Sequence, residues 1–436
     1  MKRLFAIVLS ICLVFALCGC GSLDKLSEIE LPPLPTQTPA PTTVLTPEPS
    51  AEPEISKEEV STAPECMIIV NTINTSLEEY DPAEGKELIL SFSYDTPVVH
   101  IEGRDDASAK INDVIAMLDE THYTGNDHGM GIGTGGFNMM LEQAQDNYAY
   151  VVNSGVQGVS LEFTASRSAN IERADSKVLT IVYDDYYYTG GAHGIYFSRG
   201  YNFDTETGEK LSLEMLSNDF EGLKSYLVET MLDMAEKSED ISQRIDELII
   251  PVEARSEAFA ALIREGSWYF DNDGLCFFSD VYELGSYAAG EIEFHIPYEQ
   301  LEGKIIDKYI PEKRSGEASL SISHLEDIQN GSTEIIDRVV ADEDGEELCI
   351  SVDGTAFDVK LSKVDYTDRF FETAQLWYAS YMENSALQVV TTVPEGMPHL
   401  MFSYCDAEGV EHNLLISQSG ADGSLLLVDD DMEAVG

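Results

Sequence analysis

Nine of the sixteen prolines crowd between Pro32 and Pro64, interleaved with Thr, Glu and Ala. Proline donates no backbone hydrogen bond and fixes its own φ, so a stretch this dense neither continues a helix nor enters the interior of a sheet. Residues 24–65 are therefore expected to be an extended spacer that buries no core. In polyproline II form, at ~3.1 Å per residue, such a spacer would reach on the order of 130 Å. Any core must then be built from Cys66 onward, and at 436 residues with 43% hydrophobic content the chain is long enough for two.

The N-terminus has a different character. Lys2 and Arg3 precede an apolar run from Leu4 to Leu17, broken only by Ser10 and Cys12. The run is shorter than the ~20 residues a spanning helix needs, and its layout is that of a signal peptide, residues 1–19. Leu17-Cys18-Gly19-Cys20 resembles the bacterial lipobox, in which a small residue precedes a cysteine that is acylated and becomes the new N-terminus. That resemblance implies lipid attachment at Cys20, with residues 20–65 as lipidated N-terminus and linker. It places the chain on the outer face of the bacterial cytoplasmic membrane. Several acyl chains, at ~0.8 kcal/mol per buried CH₂, would hold it there stably. A plain secretory peptide is the alternative.

With 25 basic and 80 acidic side chains the formal net charge is −55, and loss of Lys2 and Arg3 takes it to −57. Such a surface repels nucleic acid and anionic headgroups and steers cationic partners, although acidity also serves plain solubility. Of seven cysteines, Cys66, Cys276, Cys349 and Cys405 would remain unmodified in the mature chain. They form no CxxC pair, so no metal motif is expected; an exported location permits disulfides, and buried thiols fit equally.

From Cys66 the pattern is α+β. Met67–Asn74, Leu88–His100, Ser160–Ala165, Val178–Tyr188 and Ile195–Phe203 read as strands, the second carrying the alternation Leu88, Leu90, Phe92, Tyr94. Ile111, Val114, Ile115 and Leu118 recur at helical spacing, and a second helix is expected from Phe137 to about Tyr150. Leu223, Tyr226, Leu227, Met231 and Met234 form another helical stripe, followed by shorter helices over Ile241–Ile249 and Glu257–Ile263. A hairpin is expected over Trp268–Phe278, turning at Asn272-Asp273-Gly274, then a strand over Glu291–Ile296 and a short helix near Gln300. This mixed helix and antiparallel-sheet module is assigned to residues 66–313. Residues 314–436 read as a small, mostly β domain, with turns at Asp344-Gly345, Asp353-Gly354, Glu395-Gly396, Glu408-Gly409 and Asp422-Gly423 and strands over Gln388–Val393 and His399–Tyr404.

The densest cluster of unusual residues is Tyr186-Tyr187-Tyr188-Thr189-Gly190-Gly191-Ala192-His193-Gly194, with Tyr201-Asn202-Phe203-Asp204 and, downstream, Val281-Tyr282-Glu283-Leu284-Gly285-Ser286-Tyr287-Ala288-Ala289-Gly290. The glycines permit a tight reversal, and three consecutive tyrosines cannot all face one side of a strand, so at least one ring is exposed or lines a groove. A turn of this kind both shapes the chain and carries function.

Over roughly Leu88 to Ile305 these motifs look like the extracytoplasmic domain pair of PdaC-type peptidoglycan deacetylases and RsiV-type anti-sigma factors. The resemblance implies a recognition module that in the anti-sigma branch senses lysozyme. It points to Tyr187, Tyr188, Thr189, Gly190, Gly191, His193, Gly194, Tyr282 and Tyr287 as binding residues. The partner would be a lysozyme-like cationic protein or peptidoglycan. Unlike those relatives, this sequence is expected to have no spanning helix before the module and no deacetylase domain after it.

Other motifs carry less. Gly131-Ile132-Gly133-Thr134-Gly135-Gly136 has dinucleotide-loop spacing but no preceding strand, His122 to Gly129 being read as loop; His122 and His128 flank it with Asp127, a set that could recruit a metal, although two histidines in such a loop are more often solvated. Asp271-Asn272-Asp273-Gly274 and Asp342-Glu343-Asp344-Gly345 lack the bidentate Glu of a calcium loop and read as turns. GxSxG and HExxH are absent, so neither catalysis, cofactor nor metal is expected. One rival is a cell-wall hydrolase or esterase pairing His193 with Asp184, Asp185 or Asp204, and another is a structural envelope spacer.

Overall fold

A computed structural model of the chain describes residues 66–83, 85–125, 136–156, 160–328, 333–367, 370–393, 398–419 and 424–429. The signal segment, Cys20, the proline-rich spacer, Asp127, His128, residues 131–135 and the turns Glu395-Gly396 and Asp422-Gly423 lie outside them. Helix makes up 27% and strand 44%, which confirms the α+β class. Among the described residues no helix is long and apolar enough to cross a membrane.

In chain order, β1 (Ile68–Tyr80) and β2 (Leu88–Ile101) precede α1 (Asp105–Thr124) and α2 (Phe137–Ser154). Then come β3 (Phe163–Ala174), β4 (Val178–Tyr188), β5 (Ile195–Asp204), α3 (Phe220–Lys237), α4 (Glu239–Arg244) and α5 (Arg255–Leu262). A small sheet of β6 (Trp268–Phe270), β7 (Gly274–Phe278) and β8 (Glu293–Pro297) follows, with α6 (Tyr298–Leu301). The remainder is β9 (Ala318–His324), β10 (Glu334–Val340), β11 (Glu346–Thr367), β12 (Phe370–Thr391), β13 (Leu400–Cys405), β14 (Glu411–Gln418) and β15 (Leu425–Asp429).

The large sheet has twelve strands along the path β15-β14-β13-β11-β12-β1-β2-β3-β4-β5, with β9 on β11 and β10 on β12. It is not purely antiparallel, because β2 pairs β3, and β10 pairs β12, in parallel. A parallel pair needs a long crossover, and α1 and α2 supply it between β2 and β3. Residues 314–436 contribute β9–β15, and β12 continues the sheet onto β1 through Ile69↔Ala379, Val70↔Tyr378 and Asn71↔Trp377. Val60–Gly436 forms one compact unit. The expected turn at Asp353-Gly354 is instead a bulge inside β11, where the register shifts between Val352 and Thr355 and Gly354 takes φ +87°. The expected strand over Gln388–Val393 is the tail of the long β12.

The helical stripes pack as their spacing requires. Ile111 and Ile115 of α1 are fully buried against Val70, Val99, Ile171 and Ile181 of the sheet, with Val114 and Leu118 beside them. Truncating one such isoleucine to alanine typically costs about 2–5 kcal/mol. The end of α1 corrects the expectation of a loop from His122. The helix runs to Thr124 and stops at Gly125 in the left-handed conformation (φ 75°), a usual helix C-terminus. His122 in the last turn is buried, its ring 5.0 Å from Phe92 and its Nδ1 3.0 Å from the Tyr187 hydroxyl.

Leu223, Leu227 and Met231 of α3 cover the inner face of the small sheet, among Phe259, Trp268, Phe270 and Phe294. The small sheet abuts β5 at Gly200, where an added Cβ would lie 2.1 Å from the Trp268 carbonyl oxygen. Arg173 of β3, wholly buried, reaches Tyr298 Oη and the Tyr309 carbonyl at 2.6 and 2.7 Å and tethers the same region. Cys276, Cys349 and Cys405 are free thiols, and Cys66 is buried.

Candidate functional site

The β4–β5 hairpin presents the candidate residues. Strand alternation splits the three tyrosines: Tyr186 is exposed and Tyr188 half-buried, whereas Tyr187 faces inward. Tyr187 stacks on Phe197 at 5.8 Å, its hydroxyl lies 3.0 Å from His122 Nδ1, and it so leaves the candidate surface. Gly190 (φ +88°) and Gly191 (φ +107°) make the reversal in a backbone region few other residues enter. The Tyr188 hydroxyl donates to the Gly191 carbonyl at 3.2 Å and fastens it, while Thr189 stays exposed at the tip. Gly194 is required for a different reason: an added Cβ would sit 2.4 Å from the Tyr186 ring.

His193, exposed on the hairpin, meets the loop between β7 and β8. Its ring stacks on Tyr287 with centroids 3.7 Å apart and planes 20° off parallel. Tyr282 and Tyr196 flank Tyr287 at 5.7 and 5.9 Å. His193 Nδ1 lies 2.8 Å from the Gly194 carbonyl, which only accepts, so Nδ1 carries the hydrogen. In the neutral ring Nε2 is then the acceptor for the Tyr282 hydroxyl, a long contact at 3.4 Å. Two chain segments thus build one shelf of stacked rings.

Tyr282 holds φ +68°, a left-handed conformation that costs a bulky residue roughly 1–2 kcal/mol. Its ring nevertheless stays half exposed (50%), so burial does not repay the strain. The loop is pinned from below: Asp280 takes ion pairs from Arg199 and Arg264, Arg264 also pairs Glu283, and Glu283 accepts from the Asp280 amide. Nearby, the Asp246 amide donates to the Leu284 carbonyl, tying in a segment whose Leu248, Ile249 and Val252 are exposed.

Beside the shelf, the single Ser198 hydroxyl lies 2.6 Å from Asp184 Oδ1 and 2.8 Å from Glu291 Oε2. One hydroxyl hydrogen cannot serve both, and burial raises both carboxyls above their ordinary values. Asp185 is held low despite its burial by the bonds from His122 and Arg167. Asp204 accepts from Lys308 and from the Glu206 and Thr207 amides. The three carboxylates named as partners for His193 are therefore engaged elsewhere, and the ring's own contacts are Gly194, Tyr282 and Tyr287.

The structure joins His193 to Tyr282 and Tyr287, carries Tyr188, Thr189, Gly190, Gly191 and Gly194 on the same hairpin as His193, and turns Tyr187 away. Tyr196, Ser198 and Glu291 join the site without having been singled out for it, with Tyr186 from the tyrosine run and Asp184 held by Ser198 and not by His193. The period-2 position of Tyr186 and Tyr196 relative to Tyr188 and Gly194 was the available signal. Among the described residues, Asp271, Cys276 and His295 are a group with metal-ligand chemistry, and they lie on the small sheet.

Residues 218–299 match the family model described as "Protein of unknown function (DUF3298)", which takes in Tyr282 and Tyr287 but not the β4–β5 hairpin. No curated protein matches the chain. A solved DUF3298 family member from Bacteroides fragilis is similar at 18% identity and TM-score 0.42, over 55% of this chain and 94% of that one. A DUF3298 family protein from Pseudomonas aeruginosa is similar at 15% identity and TM-score 0.35, over 56% and 97%. The chain carries a DUF3298 domain at residues 218–299.

Proposed function

We propose that this chain is a lipid-anchored extracytoplasmic binding protein whose aromatic shelf docks a cationic protein of the lysozyme type, as the likeness to PdaC- and RsiV-type modules implies. The observation that carries the reading is the shelf itself: Tyr282 kept half exposed in a strained conformation beside a tightly stacked His193–Tyr287 pair. Stacked, pre-ordered tyrosines lose little entropy on contact, and their faces attract cations. A net charge of −55 on the whole chain would steer a basic partner toward it. The location rests on Leu17 to Cys20, and Cys20→Ala should release the protein from membranes or leave unprocessed precursor.

Binding of lysozyme, measured between ~0.01 M and ~1 M salt where the screening length falls from ~30 to ~3 Å, tests the ligand. Association should slow steeply with salt, and Tyr287→Ala should mainly speed dissociation, by about tenfold or more. Absence of lysozyme binding at low salt overturns the reading. Salt-independent binding of purified peptidoglycan would then put a glycan in its place.

A further inference from the structure

Away from the shelf, the small sheet gathers three side chains that no motif in the sequence linked. Cys276 on β7 stands directly opposite His295 on β8, and Asp271 follows the end of β6. Cys276 Sγ and His295 Nε2 lie 3.2 and 3.1 Å from the same Asp271 oxygen, Oδ2, and the three ligand atoms all fall within 4.8 Å of one another. We infer that Asp271, Cys276 and His295 form a Zn²⁺ site.

Ligand bonds of ~2.3 Å to sulfur and ~2.0 Å to nitrogen and oxygen, at tetrahedral angles, put donor atoms about 3.3–3.6 Å apart. The two separations from the carboxylate are within a few tenths of an ångström of that, and the third, between sulfur and nitrogen, is no more than 4.8 Å, so a side-chain adjustment of about an ångström or less would close the site on an ion. A thiolate, an imidazole and a carboxylate together suit a borderline-soft ion and not Ca²⁺ or Mg²⁺, which prefer oxygen alone. The carboxylate is already oriented, because its other oxygen, Oδ1, accepts from the Asp273 and Gly274 amides at 2.8 and 2.6 Å and leaves Oδ2 aimed at the cysteine and histidine. Gly274 leaves room for the imidazole: an added Cβ would come 2.9 Å from His295 Nε2. Asn272 is not a ligand, since it bonds Asp358 and Arg314. Cys276 is fully buried, whereas the Asp271 and His295 side chains are 24% and 36% exposed, which gives the ion an entry path and leaves the fourth position to water. On binding, the Cys276 sulfur donates a lone pair to Zn²⁺ and its proton passes to buffer, with no change of oxidation state. The ion would clamp the β6–β7 turn to β8.

Cobalt reports the ligands directly. The reduced, metal-stripped full chain titrated with Co²⁺ should develop a thiolate-to-cobalt charge-transfer band that saturates at one ion per chain and is bleached by Zn²⁺. Cys276→Ser should abolish the band and Cys349→Ser should leave it intact. His295→Gln, at a partly exposed position that spares the core, should weaken binding at least ~10-fold. A wild-type chain without the band overturns the site, as does a band that survives Cys276→Ser. So does unchanged affinity in a folded His295→Gln protein, judged by its near-ultraviolet circular dichroism. None of these readings depends on lysozyme.

Discussion

Replacing Tyr282 separates what the shelf does for the fold from what it does for a ligand. At φ +68° the tyrosine pays roughly 1–2 kcal/mol that glycine does not. Against that relief, glycine loses roughly 0.5–1 kcal/mol through the freedom of the unfolded chain. Loss of the ring contact with Tyr287, 5.7 Å away and tilted 40°, removes about 0.5–1.5 kcal/mol more. Tyr282→Gly should therefore shift stability by an amount between a gain of about 1 kcal/mol and a loss of about 1.5 kcal/mol. Tyr282→Ala loses the same ring and keeps the strain, so it should be the less stable variant by ~1 kcal/mol, the reverse of the usual order. Urea unfolding with linear extrapolation resolves a difference of that size through the midpoints. Both variants should weaken lysozyme binding at least ~10-fold, or about 1.4 kcal/mol. An alanine variant more stable than the glycine one refutes the strain argument. Undiminished binding by a folded Tyr282→Gly protein refutes the docking role.

Gly200→Ala should cost about 3 kcal/mol or more, because its Cβ would press on the Trp268 carbonyl at 2.1 Å and force β5 from the small sheet, breaking the Gly200-to-Gly266 bond; a loss under ~1 kcal/mol in urea would count against that joint. Glu291→Gln should stabilise the fold at neutral pH. The raised carboxyls of Glu291 and Asp184 contribute stability present below their ordinary values of 4.5 and 3.8 and lost as pH rises through the higher folded values. A variant as pH-sensitive as wild type above pH ~4 would argue against a shared hydrogen at Ser198. His122 has the opposite sign: burial lowers it, so its contribution is present above the ordinary 6.5 and lost as pH falls through the lower folded value. His122→Gln should flatten the loss of stability on acidification below pH ~6.5, and an unchanged slope in a pH series of melting curves would exclude it.

Local patterns were legible because they repeat within one element. The apolar spacing of Ile111 to Leu118 and Leu223 to Met234 found its core, as did Leu90, Phe92 and Tyr94 of the alternation, whereas at its start Ile89 is buried in place of Leu88. The C-terminal strands read as fragments because Gly354 mimics a turn where it forms a bulge, and polar Glu383 and Asn384 interrupt β12. His122 was misplaced because the apolar stripe ends at Leu118 while α1 continues to its glycine stop. The shelf joins His193 to Tyr282 across 89 positions, a pairing that family likeness suggested and no spacing rule could give. Asp271, Cys276 and His295 escaped notice for the same reason, since ligands facing each other across strands share no fixed interval in sequence.

The junction between β1 and β12 governs how the chain reaches its final form. It consists of three backbone pairs and one bond from the Ile68 amide to Ser380 Oγ, spanning 312 positions. During synthesis at ~5–20 residues per second, the β1 edge emerges roughly 15–60 s before its partner exists. For that interval it is an unsatisfied strand edge beside a nascent core, the kind of surface on which chains aggregate. Beyond Asn71 the strand carries Asn74, Glu78 and Glu79, polar and acidic positions that discourage a second chain from adding there. Because Tyr378 of β12 completes the core under α1, consolidation of the N-terminal elements waits on a segment made near the end. Contacts this distant slow folding, so refolding should be governed by the arrival of β12 and not by helix formation.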